Sequence, residues 1–219
     1  VTKLDDTTDG LSRYLFLGGT SDTGNLLEVY TQSSRQKEGV SGPFVNLDAP
    51  GLAGLYFSSL TPLTPLTPTA QKKFVAIGGV TYGGGKYTVS DKAFVLTVEP
   101  GEQPKVTVSA IENAACAGRF FHTASPTFIP GKAVVLGGFT DYQGNAGGQT
   151  CMFGINDGKA GFTQLAAGQE HFISRAGHST QLLDDDTLLI AGGMISKDTL
   201  SGDKAGMLEI YAHPWIDLR

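Results

Sequence analysis

Four short apolar segments, each ending in a pair of glycines, recur along the chain and define its pattern of hydrophobic and polar positions. Each segment is too short for a helix and rich in branched residues, and each stops at glycines that permit backbone angles other residues avoid. Each is therefore predicted to be a buried strand that enters a turn. The segments are Tyr14–Gly19, Phe74–Gly79, Ala133–Gly138 and Leu188–Gly193.

The spacing of these segments indicates a repeat. Their second glycines lie 60, 59 and 55 residues apart along the chain. A period near this length with several strands per unit is typical of propeller blades. The pattern predicts an all-β chain of four units, with approximate bounds of 1–51, 52–114, 115–170 and 171–219.

Composition agrees with a globular, turn-rich chain. Of 219 residues 30 are glycine, and 40% are hydrophobic, which excludes a disordered chain. The net charge is −5 without a cluster of Lys and Arg, so a nucleic-acid or anionic-membrane surface is not expected. No apolar run approaches the length of a membrane span. The chain begins at Val1, which favours a processed form or an excerpt of a longer protein.

The two cysteines, Cys116 and Cys151, allow one disulfide in an oxidising compartment, although a pair in a chain this long is also compatible with free thiols. In the predicted third unit, Cys116 leads into the first strand and Cys151 starts the third. These two places can approach each other across one edge of a blade. A disulfide would agree with an extracellular, cell-surface or periplasmic location.

The third and fourth units carry a more specific motif. Arg119 and His122 precede the third glycine pair at nearly the same distance as Arg175 and His178 precede the fourth, and Trp215 follows the last strand. This arrangement resembles the kelch motif, which is also found in galactose-oxidase-like propellers. The first two units keep the glycine pair but lack Arg-x-x-His, and only the fourth has the Trp.

The resemblance implies a β-propeller of kelch-like four-stranded blades, four of them in this chain. Kelch-like propellers usually have six or seven blades, and an open row would leave two apolar sheet faces in water. Three solutions remain open: a closed four-bladed ring, a larger ring completed by further sequence or another chain, and two copies forming one ring.

The loops after the glycine pairs are expected to share one face with the loops that join successive blades, and this face is the candidate binding surface. The alternative is that these are merely solvated loops. The candidate residues there are Tyr82, Lys86, Tyr87, Asp141, Tyr142, Lys197 and Asp198.

Two arginines and two histidines of the repeat have alternative roles. The resemblance implies that Arg119 and Arg175 face the channel mouth, where a guanidinium fork suits acidic peptide groups. The alternative is that they tie blades together through hydrogen bonds. His122 and His178 recur at one place in the repeat, which favours a structural contact over a ligand.

The expected function is a non-catalytic recognition or scaffold module that binds protein or glycan through the loops following the Gly-Gly strands. The alternative is a carbohydrate-active enzyme domain, of oxidase or sugar mutarotase type, whose remaining residues lie outside this chain. The copper-radical oxidases that share the propeller need a Tyr-His pair, and no histidine here directly follows a tyrosine. No catalytic residue, metal site or cofactor is therefore assigned from the sequence.

Overall fold

Antiparallel strands form the regular structure of the protein, which is known from a computed structural model. The structure describes residues 1–6, 11–18, 27–33, 44–52, 54–63, 71–99, 104–112, 114–147, 149–165, 174–183, 187–194 and 208–211. Within these ranges there is no helix, and hence none that could cross a membrane. The predicted all-β class is confirmed.

Four main sheets follow one another along the chain, each a meander in which the glycine-pair segment is the second strand. The first sheet contains β1 (Thr2–Asp6), β2 (Leu11–Leu17), β3 (Leu27–Ser33) and β4 (Phe44–Asn46). The second contains β6 (Ser59–Pro62), β7 (Lys72–Ile77), β10 (Ala93–Glu99) and β11 (Lys105–Ala110). The third contains β12 (Thr123–Pro126), β13 (Lys132–Leu136), β14 (Cys151–Asn156) and β15 (Lys159–Gln164).

The fourth sheet is described through three strands, β16 (Ser179–Leu182), β17 (Leu188–Ala191) and β18 (Leu208–Tyr211). A small additional sheet projects from the glycine pair of the second sheet. It contains β5 (Leu55–Tyr56), β8 (Val80–Gly83) and β9 (Lys86–Val89).

The main sheets pack face to face in chain order. In β7, Phe74 and Ala76 join an apolar cluster with the first sheet, whereas Val75 and Ile77 join a cluster with the third. In β13, Val134 and Leu136 pack in the same way towards the fourth sheet. Because both faces of these strands are covered, their sequences are continuous apolar runs rather than alternating ones.

The first strands of the sheets lie side by side at one edge of this stack. β12 contacts β6 on one side and β16 on the other, and β1 contacts β6. The four sheets are thus stacked by their faces and joined along their first strands.

The first glycines of two pairs make close backbone contacts with the following unit. A Cβ added at Gly78 (φ 59°) would lie 2.3 Å from the carbonyl oxygens of Ala117 and Arg119, and one added at Gly137 (φ 60°) would lie 2.2 Å from that of Arg175. Only glycine permits this approach of two backbones. The pairs are therefore points of contact between sheets as well as turns.

A disulfide joins Cys116 to Cys151, with the two Cα atoms 6.4 Å apart. Both cysteines are buried in the apolar cluster between the second and third sheets. The bridge links the segment before β12 to the start of β14. The sequence alone allowed either this disulfide or free thiols. A disulfide is compatible with an extracellular location.

Alanine at the first glycine of two different pairs distinguishes the free-energy cost of a steric clash from that of backbone strain. Gly192 has a similar φ of 71°, but no described atom lies within 4 Å of a Cβ added there. Gly192→Ala should lower the free energy of unfolding by about 1–2 kcal/mol, the cost of the left-handed backbone. Gly137→Ala should cost about 2 kcal/mol more, because a methyl group meets a backbone oxygen. Urea unfolding of both variants measures the difference, and equal losses would contradict the proposed contact.

Candidate functional site

A short hairpin from the second sheet carries two of the predicted site tyrosines. β8 and β9 are joined by Gly84 and Gly85, with φ of 58° and 77°, and a two-residue turn with positive φ at both positions matches the twist of a hairpin. This turn pairs Tyr82 with Tyr87 across the strands, with ring centroids 4.8 Å apart. Lys86 is exposed on the same hairpin. The glycine turn therefore holds two exposed rings in one place.

The turn after the third glycine pair brings a third tyrosine to this hairpin. Asp141 accepts hydrogen bonds from the backbone N–H of Asn145 (3.2 Å) and from its side-chain amide (2.5 Å). These bonds hold the pKa of the Asp141 carboxyl below its usual value. Tyr142, the next residue, lies with its ring centroid 6.1 Å from that of Tyr87. Partial burial raises the pKa of Tyr142.

A continuous series of ring contacts extends from Tyr142 to the segments just before β12 and β6. Tyr142 stacks on the buried Phe120 at 5.2 Å and 27°, and Phe120 contacts Phe121 at 5.4 Å. Phe121 in turn lies 4.6 Å from Phe57 of the second unit. We call the five exposed rings of this series the aromatic surface: Phe57, Tyr82, Tyr87, Phe121 and Tyr142, each 38–55% exposed.

The two repeat arginines are buried, at 3% and 2% exposure. Arg119 donates from Nη1 to the carbonyl oxygens of Gly137 and Gln149, both at 2.9 Å. Arg175 donates from Nη1 to the carbonyl oxygen of Gly192 at 3.0 Å. Burial lowers the pKa of Arg119 to about 10, so its guanidinium remains charged at neutral pH. Both side chains thus bind the glycine pair of their own sheet.

The two repeat histidines join the first strands of neighbouring sheets. His122 Nε2 is hydrogen-bonded to Ser59 Oγ at 2.8 Å, and His178 Nε2 to Thr123 Oγ1 at 2.9 Å. Ser59, Thr123 and His122 also line a groove of about 370 Å³ along these strands. The hydroxyls of this groove are therefore engaged in contacts between the sheets.

The structure brings together part of the predicted site. Tyr82, Lys86, Asp141 and Tyr142 lie on the hairpin and turn described above, whereas Lys197 and Asp198 lie outside the described residues. Phe57 and Phe121, which the sequence reasoning did not select, complete the aromatic surface. A signal was present for Phe121, which stands at the position of Gly177 in the Arg-x-x-His motif, whereas the equivalence of Phe57 is visible only in the backbone packing.

Comparisons with known proteins are limited to structural similarity. No protein-family model and no curated protein matches the chain. Among solved structures, the chain is similar to a fungal alcohol oxidase of the AA5 family, in complex with copper, at 13% identity and a TM-score of 0.49. The match covers 97% of this chain and 51% of the oxidase, so the chain spans about half of its length. In the described ranges, no group of three or more His, Cys, Asp or Glu side chains could hold a metal ion.

The histidine contacts predict a loss of stability in acid. Burial, with repulsion from Arg119 and His178, lowers the pKa of His122 to about 3. Burial, with repulsion from Arg175, lowers that of His178 to about 4. The unfolded chain takes up these protons near pH 6.5 while the folded protein does not. The free energy of unfolding should therefore fall from about pH 6.5 towards pH 4, by up to about 1.4 kcal/mol per pH unit for each histidine.

Chemical unfolding at several pH values measures this slope. The control is the double variant His122→Gln/His178→Gln, whose amides do not titrate, so that only the slope from carboxyl groups remains. Equal slopes in the parent protein and the double variant would show that the histidines are not the cause.

Proposed function

We propose that the four sheets are blades of a kelch-like β-propeller, with bounds near 1–51, 52–114, 115–170 and 171–219. The face-to-face packing in chain order and the adjacent first strands support this arrangement. On the face of the first sheet turned away from the second, Phe16, Tyr30 and Phe44 pack together, and Phe44 is 54% exposed. Exposed apolar sheet faces are unfavourable in water. We infer that further sequence or a second chain covers this face and completes the ring.

This inference predicts that the native protein has a larger mass than one copy of this chain. Mass spectrometry under denaturing and native conditions should find either a polypeptide longer than the 23.0 kDa chain or an assembly of more than one copy. A native particle of one 23.0 kDa chain would contradict it and would favour a closed four-bladed ring.

For the function we propose a non-catalytic recognition module that binds a protein through the aromatic surface. The supporting observation is that five exposed rings from two neighbouring units belong to one series of ring contacts, in which the buried Phe120 links Tyr142 to Phe121. Contiguous exposed aromatic groups mark interaction surfaces, and tyrosine is enriched among residues that dominate binding energy. Lys86 and Asp141 beside the rings supply the polar rim typical of protein interfaces.

Glycan is the other ligand class that tyrosines with nearby polar groups suit. The two phenylalanines favour protein, because their rings offer no hydrogen bond to a sugar hydroxyl. For Arg119 and Arg175 we propose the scaffold role, since each guanidinium donates to a backbone carbonyl.

Removal of the tyrosine rings tests this function. Tyr82→Ala/Tyr142→Ala should weaken ligand binding by at least about 30-fold, because one aromatic residue at the centre of an interface contributes about 2 kcal/mol. Peptide and glycan arrays are probed with the parent protein and the variant, and thermal unfolding confirms that both are folded. The matched control is Phe128→Ala, an exposed aromatic residue in the turn between β12 and β13, at the opposite end of the sheet from the glycine pair.

Four outcomes are decisive. Peptide binding that depends on the tyrosines supports a protein ligand, and glycan binding that depends on them replaces it with a sugar ligand. Binding by the folded tyrosine variant at parental strength would contradict the proposal. Turnover of a sugar by the parent protein would favour the alternative of a carbohydrate-active enzyme domain.

A further inference from the structure

The disulfide between Cys116 and Cys151 lies against a buried positive charge. Arg119 Nη2 is directed at Cys151 Sγ at 3.9 Å, while its Nη1 donates to the carbonyl oxygens of Gly137 and Gln149. Its Nε is buried and has no hydrogen-bond partner among the described residues. No carboxylate in the described ranges forms an ion pair with this guanidinium. Among its described acceptors, only the cysteine sulfur can become an anion.

This charge acts unequally on the two cysteines, because the guanidinium contact is with Cys151. A neighbouring cation lowers the pKa of a cysteine thiol by stabilising the thiolate, and burial in apolar surroundings raises it. Cys151 lies in the apolar cluster between the second and third sheets, so both effects are present. The same burial excludes the water that would screen Arg119, which strengthens its attraction for a thiolate. Cys151 is therefore the better leaving group when the disulfide is cleaved.

Cys116 lies on the more open side of the bridge. It is 4% exposed, whereas Cys151 is completely buried in β14 between β13 and β15. Cys116 belongs to the connection between β11 and β12, next to the exposed Ala115. In the same connection, a Cβ added at Gly118 would meet no described atom within 4 Å. A small displacement of this connection thus admits a thiol to Cys116 while β14 stays in its sheet.

We propose that the disulfide is a thiol-exchange site, at which Cys116 takes the incoming thiol and Arg119 stabilises Cys151 as the leaving thiolate. The reductant is a dithiol. One of its sulfurs attacks Cys116 Sγ as a thiolate, the S–S bond breaks, and the electron pair passes to Cys151 Sγ. The second sulfur of the dithiol then displaces Cys116, which takes up a proton. The products are the Cys116 thiol, the Cys151 thiolate, the oxidised dithiol and one proton.

The exchange equilibrium with dithiothreitol tests this proposal through its pH dependence. Two ordinary cysteines take up both protons that the dithiol loses, so the equilibrium constant should change less than about twofold between pH 7 and pH 8. A Cys151 thiolate leaves one proton in solution, so the constant should rise at least about fivefold. His122, which interacts with Arg119, stays neutral in this interval because its pKa is lowered to about 3. Alkylation followed by mass spectrometry counts the free thiols at each dithiol ratio.

The two repeat arginines provide a matched control. Arg119→Gln removes the charge beside Cys151 together with a contact to a glycine pair. Arg175→Gln removes the corresponding charge and contact in the fourth unit, where residues 171–219 contain no cysteine. The pH dependence should disappear in Arg119→Gln and persist in Arg175→Gln. Arg119→Lys retains a cation and should keep most of it.

A second measurement identifies the cysteine that is attacked. The oxidised protein is exposed briefly to glutathione, quenched in acid and alkylated, and the modified peptides are mapped by mass spectrometry. Glutathione should be found on Cys116 and the alkyl group on Cys151. Near-UV circular dichroism of the fully reduced protein should retain the native spectrum, because the pair of Arg119 with the Cys151 thiolate requires the folded structure.

Each contrary result has a definite meaning. A change of less than about twofold between pH 7 and pH 8 in the parent protein would overturn the thiolate assignment, whether or not the variants fold. Equal pH dependence in the parent protein and Arg119→Gln would exclude Arg119 as its cause. Glutathione found on Cys151 would reverse the assigned direction of attack. Loss of the native spectrum on reduction would leave the bridge as a structural bond only.

Discussion

The contact between a glycine pair and the following arginine connects the sheets, and the rest of the structure depends on it. The N–H of Gly79 donates to the carbonyl of Arg119 (2.7 Å), whose side chain donates to the carbonyl of Gly137. The N–H of Gly138 then donates to the carbonyl of Arg175 (2.8 Å), which binds the next pair in the same way. Each arginine is thus held by its main chain to one sheet and by its side chain to the next glycine turn. This series fixes the start of the loops that follow the second and third glycine pairs.

The same contacts place polar groups in the interior, where unpaired groups are costly. Backbone carbonyls accept the guanidinium hydrogen bonds of both arginines, and hydroxyls of the neighbouring strand partner the histidine rings. A neutral histidine suits this arrangement, since a charge there would be desolvated beside an arginine. The groups that give the repeat its recognisable sequence are therefore the groups that hold the sheets in register.

The sequence predicts the strands well because their signals are local. Apolar runs covered on both faces and glycines with positive φ are visible in a single segment, as in Phe74–Gly79. The aromatic surface is only partly predictable, since the contact between Tyr87 and Tyr142 depends on how the second and third units pack. Phe57 follows Tyr56, whose carbonyl packs against Gly79, 23 residues further along the chain than Tyr56. A contact of that sequence separation leaves no signal in the local sequence around Phe57.

The aromatic surface lies in the second and third units, where a repeated position carries aromatic residues that the fourth unit lacks. The position that holds Phe120 and Phe121 in the third unit holds Ala176 and Gly177 in the fourth, although the backbone contacts of Phe120 and Ala176 are the same. The scaffold thus tolerates both strained aromatic residues and unstrained small ones. The turns that carry these rings are held by backbone hydrogen bonds, which limits the conformational freedom of the rings. The second, third and fourth units share the inter-sheet contacts, and the residue at this one position decides which of these units exposes aromatic rings.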